Sequence, residues 1–402
     1  MSLEPSYTIV GLNYWPEPTG NAPYNTDLAE ELSQSSVIHV LTGIPHYPWW
    51  EKQRGHSDLE YDGLHPNLKL VRLSHTVPKT QSNVSRAIME ISFGFSAILS
   101  GKLSGPKVIL VSPAMLSSAM VLAWLRLICP KTKVLVWVQD LYEQGLRETS
   151  QKKGILSAII ASIENWMLAN SDRVVVAHPK FLKAKQLSQI NTQKYFTVPN
   201  WSQFEFSPTE TSSETKSRYS FGDAKLVLHI GNMGVKQGLE NVLETARLAQ
   251  SLKHQVTFAF VGGGNQLDRL KVAASDLENV MFIPPVSESE LANLLQAADI
   301  LLVNEKPGVK EMSIPSKLTT YFLSGRPVLV CSEPDSLAGM AVIENKTGLW
   351  VQSGNPDDLL TGILRLEPSE AEIVAKTAIL FAREKLSKES ALRQFRQILD
   401  HI

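Results

Sequence analysis

The chain has 402 residues, a length that favours two domains of about 200 residues each over a single hydrophobic core. Its hydrophobic fraction of 43% and charged fraction of 20% are typical of a folded globular protein and exclude an intrinsically disordered one. Lysine and arginine (39) nearly balance aspartate and glutamate (40), which argues against a dedicated nucleic-acid-binding protein.

The sequence contains no signal for secretion or membrane insertion. No stretch reaches the roughly 18 uninterrupted apolar residues that a membrane-spanning helix needs, and residues 1–5 do not begin a signal peptide. Cys129 and Cys331 lie far apart in apolar surroundings and are expected to be buried, reduced thiols. Histidine and cysteine form no cluster with metal-ligand spacing. We therefore expect a cytoplasmic protein that binds no metal.

The first half of the chain alternates between short β-rich runs and segments with helical spacing. Strands are predicted at residues 7–12, 37–42, 69–73, 107–111, 133–138 and 173–177. Helices are predicted at residues 26–32 and 85–103, from residue 114, and at 155–169. This alternation predicts a parallel α/β sheet, in which the unbroken apolar run at 133–138 suits a central strand.

The alternation stops near residue 200 and restarts near residue 225. The intervening stretch is rich in Ser, Thr, Glu and Pro and is the best candidate for a linker. Further strands are predicted at residues 225–230, 256–261, 280–283, 300–303 and 327–331. We therefore predict two doubly wound α/β units, followed by a helical end that packs back toward the first unit. The predicted divisions are a first domain at 1–205, a linker at 206–222, a second domain at 223–370 and a final helix at 371–402.

Ligands of such sheets bind beyond the carboxyl ends of the strands, so the loops there are the candidate sites. The loop at residues 14–24 places Gly20 and Asn21 just before a helix, where free backbone N–H groups can bind an anion. The loop at 231–238, with three glycines and one lysine after a strand, is a candidate cradle for a diphosphate. For each loop, an ordinary structural turn is an equally good interpretation.

Two further loops have related features. Ser316 and Lys317 begin a predicted helix, where a hydroxyl, a charge and backbone N–H groups can contact phosphate, although an exposed helix cap is the alternative. Residues 262–264 are three glycines directly after a predicted strand, which permits close approach of the backbone to a ligand.

In their order along the chain, these segments resemble the retaining GT-B glycosyltransferases of family 4. Within that family they are most similar to the branch of colanic-acid, exopolysaccharide and O-antigen transferases. The segments that carry the resemblance lie at residues 16–21, 42–48, 139–142, 198–201, 231–238, 284–286 and 315–318.

The resemblance implies two Rossmann-like domains facing a central cleft, with the acceptor on the first and a nucleotide-diphosphate sugar on the second. The donor is then a UDP- or GDP-sugar used as co-substrate, and no bound cofactor is implied. The resemblance also places Asn232, Lys236 and Lys317 beside the diphosphate. It places Pro285 and Val286 beside the base.

The chain departs from the family at a pair of glutamates. The second glutamate, which resembles a ligand of the ribose diol, falls on Thr320. Glu311 lies near, but not on, the position expected for the first.

Two residues are candidates for contact with the acceptor or the reacting sugar. Asp140 directly follows the predicted strand at 133–138, where a helix-capping role is the alternative. His46 lies in a loop whose Tyr47, Trp49 and Trp50 can stack on a sugar, although such aromatic residues are as often packing residues.

The predicted function is transfer of a sugar to a saccharide or a polyprenyl-diphosphate-linked acceptor in the synthesis of exopolysaccharide or lipopolysaccharide. No Asp-x-Asp motif follows a strand, so we expect a reaction that needs no metal. The resemblance implies that the reaction retains the anomeric configuration. A catalytically degenerate scaffold subunit and a nucleotide-sugar epimerase are the alternatives.

A membrane surface is a further candidate partner. Between residues 84 and 103, apolar side chains recur at helical spacing, with basic residues at the margins of the segment. The apolar residues are Ile88, Ile91, Phe95, Ile98 and Leu99, and the basic residues are Lys79, Arg86 and Lys102. Packing of this helix on its own sheet is the alternative. We therefore expect a cytoplasmic protein that is peripheral at the inner face of the plasma membrane, and no nucleic-acid partner.

Overall fold

The computed structural model describes residues 6–402 except for 19, 54–64, 79–81, 104, 113–114, 140–154, 185–192, 205 and 310–315. The chain divides into two compact units. The first unit comprises Met1–Asn200 together with Glu389–Ile402, and the second comprises Trp201–Lys388. Each unit is a Rossmann-like domain built on a parallel sheet, as the alternation of strands and helices predicted.

In the described part of the first unit the strands are parallel and run in the order β3-β2-β1-β4-β5-β6-β7. They are β1 Tyr7–Gly11, β2 Ile38–Gly43, β3 Leu68–Leu73, β4 Lys107–Ser112, β5 Lys133–Val138, β6 Arg173–Val176 and β7 Tyr195–Thr197. Strand β5 pairs with β4 on one side and with β6 on the other, and only its first residue is exposed. The prediction of a central buried strand there is confirmed.

Helices connect these strands. They are α1 Ala22–Ser33, α2 Asn83–Leu99, α3 Met115–Ile128, α4 Ile155–Asn170 and α5 Pro179–Ala184. Helix α2 begins two residues before the predicted start, because Ser82 and Ser85 form a capping box. It ends four residues before the predicted end, and Gly101 follows with a φ of 63°, a left-handed conformation that stops a helix.

The described strands of the second unit run in the order β10-β9-β8-β11-β12-β13 and are also parallel. They are β8 Lys225–Ile230, β9 Val256–Val261, β10 Val280–Ile283, β11 Ile300–Asn304, β12 Val328–Ser332 and β13 Leu349–Gln352. Alternate residues of the central strands enter two apolar clusters, one on each face of the sheet.

The helices described in the second unit are α6 Ser212–Arg218, α7 Glu240–Ser251, α8 Leu267–Ala273, α9 Glu288–Ala297, α10 Ser316–Leu323, α11 Leu337–Asn345, α12 Pro356–Arg365 and α13 Pro368–Lys385. A last helix, α14, spans Lys388–Asp400. In the part of the chain that the structure describes, no helix is both long enough and apolar enough to cross a bilayer.

The segment predicted as a linker, 206–222, lies within the second unit and contains helix α6. Thr211 and Glu214 form a capping box at its start. At its end, the Arg218 guanidinium binds the carboxylates of Glu210 and Glu290 at 2.8 and 2.7 Å. The boundary between the units falls at Asn200, before this segment.

The predicted final helix consists of two helices that belong to different units. Helix α13 lies in the second unit, whereas α14 from Glu389 onward returns to the first. There the ring of Phe395 packs 4.6 Å from that of Trp137 in β5, and Arg396 donates to the carbonyl of Glu31 at 2.7 Å. The end of the chain therefore contributes to the core of the first unit.

The cysteines differ in burial. Cys331, the fourth residue of β12, is buried as expected, and burial raises the pKa of its thiol to about 12. Cys129 follows α3 and is only half-buried, because it lies at the exposed end of that helix.

Candidate functional site

The second sheet contains a topological switch point between β8 and β11. Strands β9 and β10 continue from β8 to one side, whereas β12 and β13 continue from β11 to the other. Loops that leave the carboxyl ends of two such strands diverge and leave a crevice that binds ligands. The loop at 231–238 follows β8 directly, so the predicted diphosphate cradle lies at this crevice.

Two glycine-rich loops pack against each other beside the crevice. Gly231 donates its N–H to the carbonyl of Val261 at 2.8 Å, and Met233 donates to Gly263 at 2.7 Å. A Cβ atom added to Gly262 would lie 2.4 Å from the Gly231 carbonyl oxygen, and Gly262 has a φ of 128°. Only glycine allows this approach, which leaves a surface made largely of backbone.

Residues at the end of β11 form hydrogen bonds with the backbone of the loop at 231–238. The Asn304 side chain donates to the carbonyls of Gln237 and Gly238 at 2.7 and 3.0 Å. The Lys306 N–H donates to the carbonyl of Lys236 at 2.8 Å. Backbone groups of the loop are therefore fixed on two sides before any ligand binds, which lowers the entropic cost of binding.

Helix α10 positions the predicted lysine at the same place. The buried Tyr321 hydroxyl accepts a hydrogen bond from the N–H of Ile230 at 2.8 Å, which fixes the helix against the end of β8. On the first turn of α10, the Lys317 ammonium lies 3.7 Å from the point where a Cβ of Gly231 would stand. The structure thus brings together the predicted residues Gly231 and Lys317.

A buried histidine lies beneath this lysine. His229 in β8 is 1% exposed, and its Nε2 lies 3.4 Å from Lys317 Nζ. Burial and the Lys317 ammonium hold the pKa of His229 well below its ordinary value, against the opposing effect of the backbone near Asn232 and Leu302. A neutral imidazole can accept a hydrogen bond from the ammonium. Sequence reasoning missed His229, although a histidine in an otherwise apolar strand was the available signal.

Two other predicted diphosphate ligands lie on the loop itself. Asn232 is exposed, and its Nδ2 lies 2.8 Å from the point where a Cβ of Gly234 would stand. Lys236 is exposed on the 3₁₀ turn Val235–Gln237. Both residues therefore border the same loop as Gly231.

The remaining predicted donor residues surround the same edge of the sheet. Pro285 is exposed and Val286 is half-buried just after β10, whose last carbonyl, that of Ile283, accepts the N–H of Gly262. Thr320 is half-buried on α10, next to Tyr321.

Two residues predicted to contact the nucleotide sugar lie partly or wholly outside the described part of the chain. Ser316 is the first residue of α10, although its side chain lies outside the described part of the chain. Glu311 lies outside the described residues altogether.

In the first unit, a buried carboxylate joins the loops that follow β1 and β2. Glu17 is 3% exposed, and its Oε1 accepts hydrogen bonds from the N–H groups of His46 and Tyr47 at 2.7 and 2.9 Å. Its Oε2 accepts from the Asn13 side chain at 2.7 Å. Sequence reasoning missed this role of Glu17, because no pattern along the chain pairs residues 29 apart.

The predicted anion loop of this unit has a left-handed glycine, since Gly20 has a φ of 69°. Asn21 precedes the first turn of α1, and its carbonyl accepts the N–H of Asn25 at 3.0 Å. The Asn21 side chain caps no N–H group of that helix.

His46 is buried rather than open to a sugar, with 1% of its surface exposed. Its Nδ1 lies 3.3 Å from Glu17 Oε1. The rings of Tyr47 and Trp50 pack edge to face at 5.8 Å, whereas Trp49 is 47% exposed. Packing therefore accounts for most of the aromatic residues in this loop, and a catalytic role of His46 stays a prediction.

A second buried histidine packs on the first. The rings of His75 and His46 are 4.8 Å apart, and burial together with His46 lowers the pKa of His75 to about 4. Asp140, the other predicted catalytic residue, lies outside the described residues. Gln139 before it is 4% exposed, and its amide makes no hydrogen bond with the residues that the structure describes.

Residues 212–380, all within the second unit, match the family model of glycosyl transferases group 1. The matched segment includes the glycine loops at 231–238 and 262–264 and the helix that carries Lys317.

A curated relative is similar to this chain along almost its whole length. The chain is 28% identical over 407 residues to a protein of Escherichia coli (strain K12) named putative colanic acid biosynthesis glycosyl transferase WcaI. The alignment covers 96% of this chain and 98% of WcaI.

Solved structures of GT-B glycosyltransferases share the fold. Sucrose-phosphate synthase from Thermosynechococcus elongatus is 17% identical, with a TM-score of 0.73 and 98% of each chain covered. HepE from Anabaena, solved in complex with UDP, is 12% identical, with a TM-score of 0.72 and with 99% of this chain and 100% of HepE covered. At these identities the likeness concerns the fold alone.

Proposed function

We propose that the chain is a glycosyltransferase that moves a sugar from a UDP- or GDP-sugar to a saccharide acceptor in the synthesis of a cell-surface polysaccharide. The observation that carries this proposal is the glycine-lined loop at the switch point with Lys317 beside Gly231. A loop without side chains admits a diphosphate to the backbone, and the ammonium supplies the opposite charge.

The arrangement fits the chemistry of a diphosphate leaving group. As the bond from the sugar to the diphosphate breaks, negative charge grows on the phosphate oxygens. Lys317 lies on the first turn of α10 before the reaction begins. The neighbouring His229 is neutral, so it does not repel the Lys317 ammonium. This charge stabilisation supports a transfer that needs no metal, and we propose that the anomeric configuration is retained.

The acceptor is assigned to the first unit in this proposal, with Asp140 beside the acceptor or the reacting sugar and with the buried His46 behind the surface of the loop after β2. A polyprenyl-diphosphate-linked saccharide is the proposed acceptor, and the proposed location is the cytoplasmic face of a membrane. The support is the resemblance to the exopolysaccharide branch and the similarity to WcaI, which is assigned to colanic acid biosynthesis.

Nucleotide binding is the first experiment. A thermal-shift panel with UDP-, GDP- and dTDP-sugars should show one base that raises the unfolding temperature most, because a ligand at about 100 times its Kd adds roughly 2.7 kcal/mol to stability. If no nucleotide sugar binds, a scaffold subunit explains the fold and the transferase proposal is abandoned.

Product analysis then separates the remaining alternative. With a saccharide acceptor, the proposed enzyme forms a new glycosidic bond of retained anomeric configuration, which nuclear magnetic resonance detects, and EDTA leaves the rate unchanged. An altered sugar nucleotide formed without any acceptor would identify an epimerase instead.

A further inference from the structure

Helix α2 carries a row of large apolar side chains that face solvent. The exposed fractions are 67% for Val84, 53% for Ile88, 38% for Ile91, 56% for Phe95 and 81% for Leu99. Their spacings of four, three, four and four residues place them on one side of the helix. We call these five residues the outer stripe of α2; it is about 22 Å long at 1.5 Å per residue.

The outer stripe is not needed to attach α2 to its own domain. Met89, Phe93 and Ala97 are at most 6% exposed and form the buried side of the helix. The alternative that the apolar residues of this segment only pack on the sheet therefore accounts for these three and not for the outer stripe. A solvated helix normally carries polar residues on the side away from the core.

Basic residues flank the stripe on α2 and just after it. Arg86 is exposed on the first turns of α2, and Lys102 is exposed just after the helix. The one acidic residue of α2, Glu90, is 2% exposed and accepts the N–H of Leu116 at 2.9 Å. The outer side of α2 therefore presents apolar and positive groups and no carboxylate of its own.

Tryptophan borders the stripe at its N-terminal end. The Arg86 guanidinium lies 5.2 Å from the centre of the Trp50 ring, which places the loop after β2 beside α2. The adjacent Trp49 is 47% exposed, and Glu51 and Lys52 are both exposed beyond it. Tryptophan with lysine or arginine beside an apolar helix face suits the boundary between lipid headgroups and acyl chains.

Further apolar residues border the other end. Helices α2 and α3 precede the adjacent parallel strands β4 and β5, so both helices end at the same edge of the sheet. At the end of α3, Leu127 is 80% and Ile128 is 63% exposed. Exposed apolar side chains therefore lie at the ends of both helices at this edge.

We propose that the outer stripe of α2 is the surface through which this protein docks on an anionic membrane. A lipid surface fits better than a second copy of the chain. If two copies paired through their outer stripes, the basic residues that flank each stripe would lie close together and repel one another. The inference rests on the proposed function, in which the acceptor is lipid-linked. Helix α2 follows β3 and so begins at the carboxyl edge of the first sheet, which places the Val84 end of the stripe at that edge.

The test is flotation of the full-length protein with vesicles of phosphatidylcholine alone and of phosphatidylcholine with phosphatidylglycerol. The protein should float only with the anionic lipid at about 0.1 M salt and much less at about 1 M, where the Debye length falls from about 10 to about 3 Å. The variant Ile88→Gln/Phe95→Gln, which keeps the net charge, should bind at least about tenfold less, because two apolar side chains no longer enter the lipid.

The matched control is Ile373→Gln/Leu380→Gln on α13 of the second unit, where the replaced side chains are 66% and 59% exposed. It should float like the unchanged protein. A protein that stays in the soluble fraction with every vesicle, or a control that loses as much binding as the α2 variant, overturns the proposal. Light scattering that shows a dimer, converted to a monomer by the α2 variant, assigns the stripe to a second copy.

Nucleotide-sugar affinity, measured without lipid on the same variants, separates this proposal from the proposed function. Unchanged affinity together with lost flotation in the α2 variant supports docking. If the unchanged protein binds a nucleotide sugar but no vesicle, only the docking surface is wrong. If it floats but binds no nucleotide sugar, docking survives and the transferase proposal fails.

Discussion

At the scale of single residues, the second unit pairs a cation with a neutral base inside its candidate site. Lys317 must stay charged to bind phosphate, and His229 beneath it stays uncharged because burial and the ammonium both lower its pKa. A protonated imidazole at 3.4 Å would repel Lys317. The neutral form accepts a hydrogen bond instead and helps to orient the ammonium toward the loop after β8.

Removal of the Lys317 ammonium should therefore weaken donor binding. Lys317→Ala is expected to cost about 1.5–3 kcal/mol, the usual contribution of a charge-assisted hydrogen bond, which is about ten- to a hundredfold in Kd. Isothermal titration with the preferred nucleotide sugar measures this. Lys236→Ala, which removes an exposed lysine of the same loop, should have a smaller effect. Equal affinities for Lys317→Ala and the unchanged protein would move the phosphate site elsewhere.

Asp140 allows a test of how roles are divided between the units. Asp140→Asn should cut turnover severely, because the proposed carboxylate beside the acceptor or reacting sugar loses its charge. Donor affinity should stay within a few-fold, since the candidate nucleotide site lies in the second unit. Steady-state rates and titration of the donor measure the two effects. A collapse of donor binding would contradict the assignment of the acceptor to the first unit.

His75 should make the first unit sensitive to acid. Its pKa is about 4 in the folded protein against an ordinary value of 6.5, so the unfolded chain binds the proton more tightly. The contribution of neutral His75 to the free energy of unfolding is fully present above about pH 6.5. It is lost as the pH falls toward 4, by about 3 kcal/mol at most. His75→Leu should make the free energy of unfolding less dependent on pH in that range.

Urea unfolding at a series of pH values measures this difference. His75→Leu also loses the contact of Nδ1 with the carbonyl oxygen of Leu73 at 3.4 Å, so the readout is the dependence of stability on pH and not the stability at one pH. His254→Gln, at an exposed position of the second unit, is the control and should follow the unchanged protein. Parallel curves for His75→Leu and the unchanged protein would contradict the prediction.

At the scale of elements, the glycine loops after β8 and β9 depend on each other. Gly262→Ala places a Cβ 2.4 Å from the Gly231 carbonyl oxygen, at a residue with a φ of 128°. Backbone must move, and we expect a loss of about 2–5 kcal/mol in stability together with weaker nucleotide binding. Calorimetry and donor titration measure both effects.

The neighbouring glycine provides the control for this substitution. A Cβ on Gly263 would have no atom within 4 Å, so Gly263→Ala should leave the unfolding temperature unchanged. If both variants unfold alike, close packing of the two loops does not stabilise the second unit.

The comparison of sequence with structure also belongs to this scale. Strands at 133–138, 225–230, 256–261 and 280–283 were predicted with the bounds found, because apolar β-rich runs mark buried strands. The short polar helix α6 was taken for linker, since its composition outweighed the capping-box signal of Thr211 and Glu214.

The candidate site was predictable in part. Glycines after a strand and a lysine at a helix start are local signals, and the structure brings Gly231 and Lys317 together. The contacts of Glu17 with the loop after β2 and of His229 with Lys317 join residues 29 and 88 apart. Only the sheet order brings such residues together, and periodicity along the chain does not encode that order.

At the scale of the whole molecule, the chain crosses between the units twice. It leaves the first unit at Asn200 and returns with α14 after Lys388. The returning helix is fixed by Phe395 against Trp137, by Arg396 at Glu31, and by Arg173, which donates to the carbonyl of His401 at 2.9 Å. The first unit is therefore complete only when the last residues of the chain are in place.

This topology predicts that a substitution near the end of the chain destabilises the unit formed by its beginning. Phe395 is fully buried, so Phe395→Ala should cost about 3–5 kcal/mol and should reduce hydrogen-exchange protection in β5 while β9 keeps its protection. Phe258→Ala, which removes an equally buried ring in β9, should do the reverse and should also weaken nucleotide binding. Hydrogen-exchange mass spectrometry of both variants measures protection strand by strand. Equal loss in β5 and β9 for either variant would mean that the two units unfold as one cooperative body, and the return of α14 would then stabilise the whole chain rather than the first unit.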